Sequence, residues 1–216
     1  MTLALEVEVT APVVSFRNPL YAGVQVGLPC PPPSAIGGLL ASTVGGWAHM
    51  PIHTRFAVCF TAGGSGTDLE TYHPLDAKGA KTSPTPKDRE FLADIRLRLW
   101  LISDLDLWEG AFRRPVWPLR FGRSQDLASA RTRRVVLNDG YGTQGQALIP
   151  ADRSSAGALL RLPTSVSIDR ANSIWKTYRY ATTRGDVQIG GEYVTDQGQA
   201  VTMLDAVHPA NYWPTS

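Results

Sequence analysis

Residues 3–10 alternate between apolar and polar side chains, a pattern typical of a strand with one buried face. The apolar side chains on that face are Leu3, Leu5, Val7 and Val9. A loop at residues 11–33 follows, with turn signals at Asn18-Pro19 and in the proline-rich stretch before Ser34. Its length favours a functional loop over a plain connection.

A helix is predicted to begin at Pro33 or Ser34, because proline is tolerated at the first helical position and serine caps helices. Apolar residues near helical spacing extend it to about Trp47. Four glycines, each weakening a helix by about 1 kcal/mol relative to alanine, are Gly37, Gly38, Gly45 and Gly46. They indicate that the helix backbone packs closely against another group. Packing against the protein core explains them about as well as contact with an RNA does.

The pattern changes at residues 63–86, which contain glycines, prolines and lysines without a regular period. We interpret this segment as a protruding hairpin or a mobile loop. Elsewhere the sequence predicts strands at 55–62, 91–102, 133–137 and 157–162 and a short helix at 105–114. Residues 163–216 are mixed, with a predicted helix near 168–176 and strands near 177–181, 188–194 and 200–204.

The predicted order strand, helix, strand, strand, helix, strand matches a ferredoxin-like layout, which RNA-recognition domains share. We therefore predict an α+β protein with a ferredoxin-like (RRM-like) domain at residues 1–162. A short β-rich C-terminal extension is predicted at residues 163–216. The sequence shows no internal repeat and no low-complexity segment.

Composition narrows the class of protein without naming a partner. The chain has 216 residues, 43% of them apolar and 19% charged, which is typical of a folded globular protein. Its net charge of +2 favours no class of ligand. Cys30 and Cys59 are too few and too far apart for a disulfide framework or a cysteine zinc site. We expect a cytoplasmic protein without a signal peptide, membrane span, metal or cofactor.

Positive charge is concentrated at residues 112–134. Seven arginines and one acid, Asp126, give this segment a charge of +6 and leave −4 for the rest of the chain. Arginine pairs with phosphate and stacks on bases, so the cluster favours RNA binding. The alternative is that acids from elsewhere in the fold pair with these arginines. Trp117, between Pro115 and Pro118, is the candidate for stacking on a base.

A turn at residues 119–124 lies within the same segment. It could offer backbone N–H groups and the guanidinium groups of Arg120 and Arg123 to a phosphate. An ordinary turn explains the same sequence.

One cluster carries the residue types of a metal-independent ribonuclease. His73 follows Tyr72, with Lys78 and Lys81 downstream, and such chemistry needs a base near the 2′-hydroxyl and an acid near the leaving oxygen. The proline-rich surroundings are a poor platform for catalysis, so we predict an RNA contact here and no catalytic residues. The sequence has no phosphate loop, zinc-protease motif or serine elbow with its partners.

Four stretches together resemble a known family. They are Ser15-Phe16-Arg17, residues 32–40 from Pro32-Pro33-Ser34-Ala35-Ile36 to Leu40, residues 89–94 from Arg89-Glu90-Phe91 to Asp94, and residues 121–127 from Phe121-Gly122-Arg123-Ser124 to Leu127. This set resembles the Cas-five family, the RAMP-type subunit at the foot of type I Cascade complexes. The resemblance covers about residues 1–165, and the stretch that opens the first helix is its most specific part.

The resemblance implies a ferredoxin-like domain with a protruding thumb hairpin, at about residues 63–86 here. It implies a subunit that clamps the 5′ handle of CRISPR RNA and joins the large subunit to the helical backbone. Arg17, Ser34, Arg123 and Ser124 match positions where the family presents RNA-contacting elements. Lys78 and Lys81 fall in the thumb segment. One branch of the family, from type I-C systems, cuts precursor RNA with a tyrosine, a lysine and a histidine.

Three functional hypotheses follow. The first is a non-catalytic RNA-binding scaffold of a CRISPR surveillance complex in antiviral defence, whose partners are the guide RNA 5′ handle and the Cascade backbone and large subunits. Target DNA is reached only through the complex, and no membrane is involved. The others are a metal-independent endoribonuclease and a protein–protein adaptor. The predicted RNA-binding residues are Arg17, Ser34, Tyr72, His73, Lys78, Lys81, Arg113, Arg114, Trp117, Arg120, Arg123 and Ser124.

Overall fold

The structure is a computed structural model that describes residues 1–21, 26–72, 83–183 and 185–213. Within them are the helices α1 (Pro33–Val44) and α2 (Leu105–Arg113). The strands are β1 (Thr2–Val14), β2 (Phe56–Thr61), β3 (Gly64–Tyr72), β4 (Thr85–Leu101), β5 (Ser129–Leu137), β6 (Tyr141–Thr143), β7 (Ile149–Pro150), β8 (Ala158–Val166), β9 (Ser173–Tyr180), β10 (Gln188–Gly190), β11 (Tyr193–Val194) and β12 (Ala200–Val201). The predicted α+β class is confirmed.

The main sheet has the strand order β2-β4-β1-β5, and every neighbouring pair is antiparallel. Strand β3 also pairs with β4, in line with β2 along the same edge. Smaller sheets follow, with β7-β9-β8 as the largest and the pairs β10-β6 and β11-β12. The main sheet is therefore formed by the strands between residues 2 and 137, and the strands after residue 137 form the smaller sheets.

Both helices pack on one face of the main sheet. The alternation of β1 puts Leu5, Val7 and Val9 into this core, where they meet Ile36 and Leu40 of α1. The prediction of a single buried face on β1 is wrong at its start. Leu3 is 48% exposed, whereas Ala4 and Glu6 on the opposite face are buried.

The opposite face of the sheet is covered at one end. Trp100 of β4 is fully buried there against Val201 and Met203 of the C-terminal region. The indole Nε1–H of Trp100 donates to the Glu6 carboxylate at 3.0 Å. This second layer is the reason that one-sided alternation fails, because β1 is buried on both faces at this end.

Helix α1 begins at Pro33, as predicted, but Ser34 does not cap it, since Pro32 is the N-cap residue and makes no side-chain bond. The helix ends at Val44 and not near Trp47. Gly45 adopts φ 90°, and the Gly46 N–H donates to the Ala41 carbonyl at 2.7 Å, which closes the last turn.

The described parts of the segment 63–86, residues 63–72 and 83–86, are more regular than their sequence indicates. Strand β3 pairs with β4 antiparallel from Gly64–Ala93 to Tyr72–Thr85, which favours the hairpin over the mobile loop, while residues 73–82 lie outside the described residues. Its sequence shows no hydrophobic alternation because the strand is largely solvent-facing, with even Leu69 at 72% exposure. Pairing of β1 with β4 stops at Leu92, so residues 66–72 and 85–91 continue as a two-stranded ribbon.

The predicted helix near residues 168–176 is wrong. A turn with Arg170 at φ 62° precedes β9, which pairs with β8 as an antiparallel strand. The Asp169 carboxylate accepts from the Ser167 hydroxyl and the Ala171 N–H, and such local bonds favour turns over helices. The predicted division between residues 162 and 163 falls within β8 and stays a prediction. In the described part of the chain, helices are too short or too polar for a membrane span.

Candidate nucleic-acid interface

Three segments that are distant in sequence meet where the β3–β4 ribbon leaves the sheet. The Ser15 hydroxyl donates to the Glu90 carbonyl at 2.7 Å, and the Gly27 N–H donates to the Glu90 carboxylate at 2.7 Å. The rings of Phe16 and Phe121 are in edge-on contact with centroids 5.0 Å apart. We call this meeting point the hairpin-root site. Its segments are three of the four that carry the family resemblance.

A cavity of about 300 Å³ opens at the hairpin-root site. Phe16, Leu28 and Phe91 supply apolar walls, while Thr67 and Glu90 supply polar groups. Phe91 lies directly over a glycine of β3, because a Cβ on Gly66 would stand 2.6 Å from its ring. A pocket with aromatic walls and a few polar groups suits a planar ligand such as a nucleobase.

The turn at residues 119–128 is seated against the same site. Gly122 has φ 99°, and a Cβ there would lie 2.9 Å from the Ser15 carbonyl oxygen, so only glycine fits. Asp126, 5% exposed, accepts from the Arg123 backbone N–H at 3.0 Å and from its guanidinium at 2.7 and 3.0 Å. Arg123 is thereby neutralised inside the turn, while Arg120 and Ser124 are exposed.

The seven arginines of residues 112–134 divide into two groups. Arg123, Arg133 and Arg134 bind carboxylates, as the alternative interpretation of the cluster expects. Glu6 accepts a hydrogen bond from Arg133 at 2.8 Å and raises its pKa. Asp106 and Glu109 raise the pKa of Arg134 in the same way. The arginines without an ion pair in the described part of the chain are Arg113, Arg114, Arg120 and Arg131.

Trp117 lies beside the C-terminal ends of both helices. Its backbone N–H donates to the Ser42 carbonyl at 3.3 Å, and a Cβ on Gly46 would lie 3.3 Å from its ring. About half of its side chain, 52%, is nevertheless exposed. Arg113 and Arg114, both exposed, end α2 in the same region of the chain. We call Arg113, Arg114 and Trp117 the helix-end group.

The other predicted site residues separate. Arg17 is exposed and forms a backbone bridge with Gly27 at the hairpin-root site. Ser34 is half-buried and lines a different cavity, of about 430 Å³, with Arg170 and Val207. Tyr72 ends β3, but its side chain lies outside the described part, as do His73, Lys78 and Lys81. The structure thus brings the segment of Arg17 against the turn that carries Arg120, Arg123 and Ser124, through the contact of Phe16 with Phe121.

Sequence reasoning missed Glu90 and Phe91 as site residues and used them only for the resemblance. A lone aromatic residue in a polar stretch was the available signal. Among the described residues, no group of three or more His, Cys, Asp or Glu side chains is placed to hold a metal ion.

Sequence comparison settles the family. A family model described as CRISPR-associated protein (Cas_Cas5) matches residues 4–173. The chain belongs to this family. The resemblance drawn from the four stretches is therefore confirmed. A search among curated proteins found no match.

Comparison with solved structures shows the same fold in CRISPR proteins. A chain of a structure described as a CRISPR RNA-guided surveillance complex has a TM-score of 0.59 and 16% identity, over 94% of this chain and 95% of that chain. A chain of a type III-B Cmr-beta complex bound to cognate target RNA and AMPPnP has a TM-score of 0.56 and 10% identity, over 85% of each chain. A CRISPR protein from Archaeoglobus fulgidus has a TM-score of 0.50 and 13% identity, over 94% of this chain and all of that one.

Proposed function

We propose that this member of the family is an RNA-binding scaffold subunit of a type I CRISPR effector complex and holds the 5′ handle of the guide RNA. The observation that carries the proposal is the convergence of three distant segments on the hairpin-root site, where an aromatic-walled cavity opens. Two of these segments carry Arg17 and Arg120, which are exposed and have no ion pair within the described residues. Stacking of a base in the cavity and pairing of phosphates with Arg17 and Arg120 would fix a single strand in place.

We also assign a ferredoxin-like topology to residues 1–162. Two helices on one face of an antiparallel sheet, with the strand order β2-β4-β1-β5, support it. In this assignment the β3–β4 ribbon is the thumb, inserted at about residues 63–86. A ribbon that leaves the sheet has little core of its own, so we expect it to be stabilised by the RNA or by a neighbouring backbone subunit.

The helix-end group extends the proposed path of the RNA. Trp117 offers a half-exposed indole face, and Arg113 and Arg114 offer guanidinium groups that no described carboxylate neutralises. A strand that runs from the hairpin-root site along residues 113–124 would meet each of these groups in turn. The scaffold role needs no catalytic residue, and target DNA is reached only through the assembled complex.

The test is a filter-binding titration of the protein with its complex partners. Guide RNAs with an intact and a scrambled 5′ handle are compared at two salt concentrations, and the RNA is then run on a denaturing gel. We expect tighter binding of the intact handle and uncut RNA. Equal affinity for both handles in the assembled complex would contradict the proposal, and cut RNA would favour the endoribonuclease.

The matched variants are Arg17→Ala with Arg120→Ala, and Arg161→Ala as the control. Arg161 is also exposed but lies on β8. Each lost phosphate contact should lower the salt slope by about 0.7 for a single strand, so the double variant should lose about 1.4 and the control nothing.

A further inference from the structure

A second polar cleft lies on the face of the main sheet opposite the helices. The loops at residues 143–146 and 197–199 stand over this face, and two cavities, of about 260 and 560 Å³, open beneath them. Both are lined by Cys59, Arg98 and Gln197, so they are adjacent. We call the two together the Arg98 cleft. None of its residues belongs to the hairpin-root site or the helix-end group.

Arg98 is held in place without a carboxylate. Its guanidinium lies over the Trp100 ring at 5.4 Å, and its Nη2 donates to the Cys59 sulfur at 3.6 Å. Glu8 is its neighbour on β1, but Glu8 pairs with Arg96 instead, at 3.6 Å. Within the described residues, the guanidinium of Arg98 therefore has no ion pair. A half-buried, oriented fork of N–H donors is available to a ligand.

The smaller cavity is walled by amides and contains no acid. The Gln199 amide nitrogen donates to the carbonyls of Thr143 and Gln144 at 3.0 and 2.9 Å, which fixes that wall. Gln197 is exposed, and its amide has no hydrogen bond to any other described residue. The lining thus carries one positive charge and a mixture of donors and acceptors. Such groups match the polar edge of a nucleobase.

The larger cavity limits what else can bind. Glu6, Glu8 and Asp94 line it together with Arg96, Arg98 and Arg133, so its formal charges cancel. The cavity therefore offers no net attraction to a run of acidic protein side chains or of phosphates, whereas an uncharged base does not need one. The recessed shape also favours a single inserted group over a flat contact.

We propose that the Arg98 cleft binds one extruded nucleobase of single-stranded RNA, with the base edge on the guanidinium of Arg98 and the amide of Gln197. A base with two adjacent acceptors, as guanine has in O6 and N7, suits the bidentate fork best. The inference rests on the proposed function, because it adds a second base site to an RNA-binding subunit.

The experiment uses the assembled complex and guide RNAs that carry 6-thioguanine at one position at a time. Ultraviolet cross-links are mapped by mass spectrometry, and affinity is measured for each RNA. We expect one position to cross-link to β4 or to the loop at residues 197–199. Arg98→Ala should abolish that cross-link and weaken binding about 5- to 150-fold. Gln197→Ala, on an exposed loop, should weaken both if Arg98→Ala fails to fold.

The control is Arg161→Ala, an exposed arginine on β8 that lines neither cavity of the cleft. Arg98→Lys should behave like Arg98→Ala, since a lysine cannot make the bidentate contact. Unchanged RNA affinity and an unchanged cross-link in Arg98→Lys would indicate that residue 98 contacts a phosphate, and this result would overturn the proposal. If the Arg98→Ala complex lost one of its protein subunits but kept its RNA affinity, the cleft would be a protein-docking site, and the proposal would be overturned. RNA binding that depends on Arg17 but not on Arg98 defeats this inference alone, whereas absence of any RNA binding defeats the proposed function.

Discussion

Arg120 and Arg123 lie three residues apart in one turn, and the structure gives them different environments. The side chain of Arg123 is 19% exposed and pairs with buried Asp126. Arg120 is exposed and has no ion pair within the described residues. Identical side chains in a basic segment therefore differ in what they can contribute, one to the stability of the turn and the other to a ligand.

Arg123→Ala should lower the free energy of unfolding by about 1–3 kcal/mol, because it leaves a buried carboxylate without its cation. Arg120→Ala should change it by about 0.5 kcal/mol or less. Chemical denaturation measures both variants, and RNA titration should show the reverse order of effects. Wild-type stability of Arg123→Ala together with lost RNA affinity would show that this guanidinium acts on the RNA.

Trp117→Ala should weaken binding of the guide RNA about 5- to 150-fold, the equivalent of one stacked base. The half-exposed indole is the reason, since one side packs on Gly46 and the rest faces solvent. Val116→Ala is the matched control, because Val116 is 61% exposed in the same segment but has no aromatic face. Unchanged affinity in folded Trp117→Ala protein would exclude the stacking role.

At the scale of elements, α1 and the β3–β4 ribbon show two opposite relations between sequence and structure. The start of α1 is evident from Pro33 because the signal is local. Strand β3 is not evident, because both of its faces are largely polar and its partner strand supplies its order. Gly37 of α1 is a third case. The sequence shows the glycine, but the reason for it is close packing against Val207, which lies 170 residues further along the chain.

Gly37→Ala should destabilise the protein by about 1–3 kcal/mol, because the new Cβ would stand 2.4 Å from Val207 and 2.9 Å from Trp47. Gly38→Ala is the matched control in the next position. Nothing lies within 4 Å of its Cβ, so it should stabilise the helix by about 0.5–1 kcal/mol. Urea denaturation separates the two outcomes, and equal effects of both substitutions would contradict the packing assigned to Gly37.

At the scale of the whole molecule, the C-terminal residues are built into the sheet and helix layers. The Tyr180 hydroxyl donates to the Phe60 carbonyl at 3.0 Å, and the Ser165 hydroxyl donates to the Val207 carbonyl at 2.7 Å. His208 Nε2 is 2.8 Å from the Trp47 carbonyl oxygen. The bonds of Tyr180 and His208 join the C-terminal region to β2 and to the turn after α1, and the bond of Ser165 holds β8 to the residue before His208, so we expect the chain to unfold cooperatively.

Alkaline pH should destabilise the protein through its buried tyrosines. Burial raises the pKa of Tyr178 to about 12, partly offset by its hydrogen bond with Thr164, and burial also raises the pKa of Tyr180. The unfolded value is about 10, so the folded state holds its proton more tightly. Stability is then complete below pH 10 and falls as the pH rises towards 12, by about 2 kcal/mol for Tyr178.

Denaturant titrations at several pH values between 8 and 12 measure this loss. Tyr178→Phe should give a shallower pH slope, although the lost bond to Thr164 lowers its stability at every pH. A slope identical to that of the unsubstituted protein would contradict the assignment to Tyr178.

The sequence by itself determined the order of β1, α1, β2, β4, α2 and β5 but not β3, and it determined the start of α1, the arginine-rich segment and the family. These features depend on local periods, local capping signals or short motifs. Tertiary structure decided which arginines remain available, since Arg133 meets Glu6 across 127 residues of chain. It also decided that Ser15, Glu90 and Phe121 share one site and that Arg98 faces a second cleft. Contacts between distant residues depend on sheet order and register, and no local pattern encodes either.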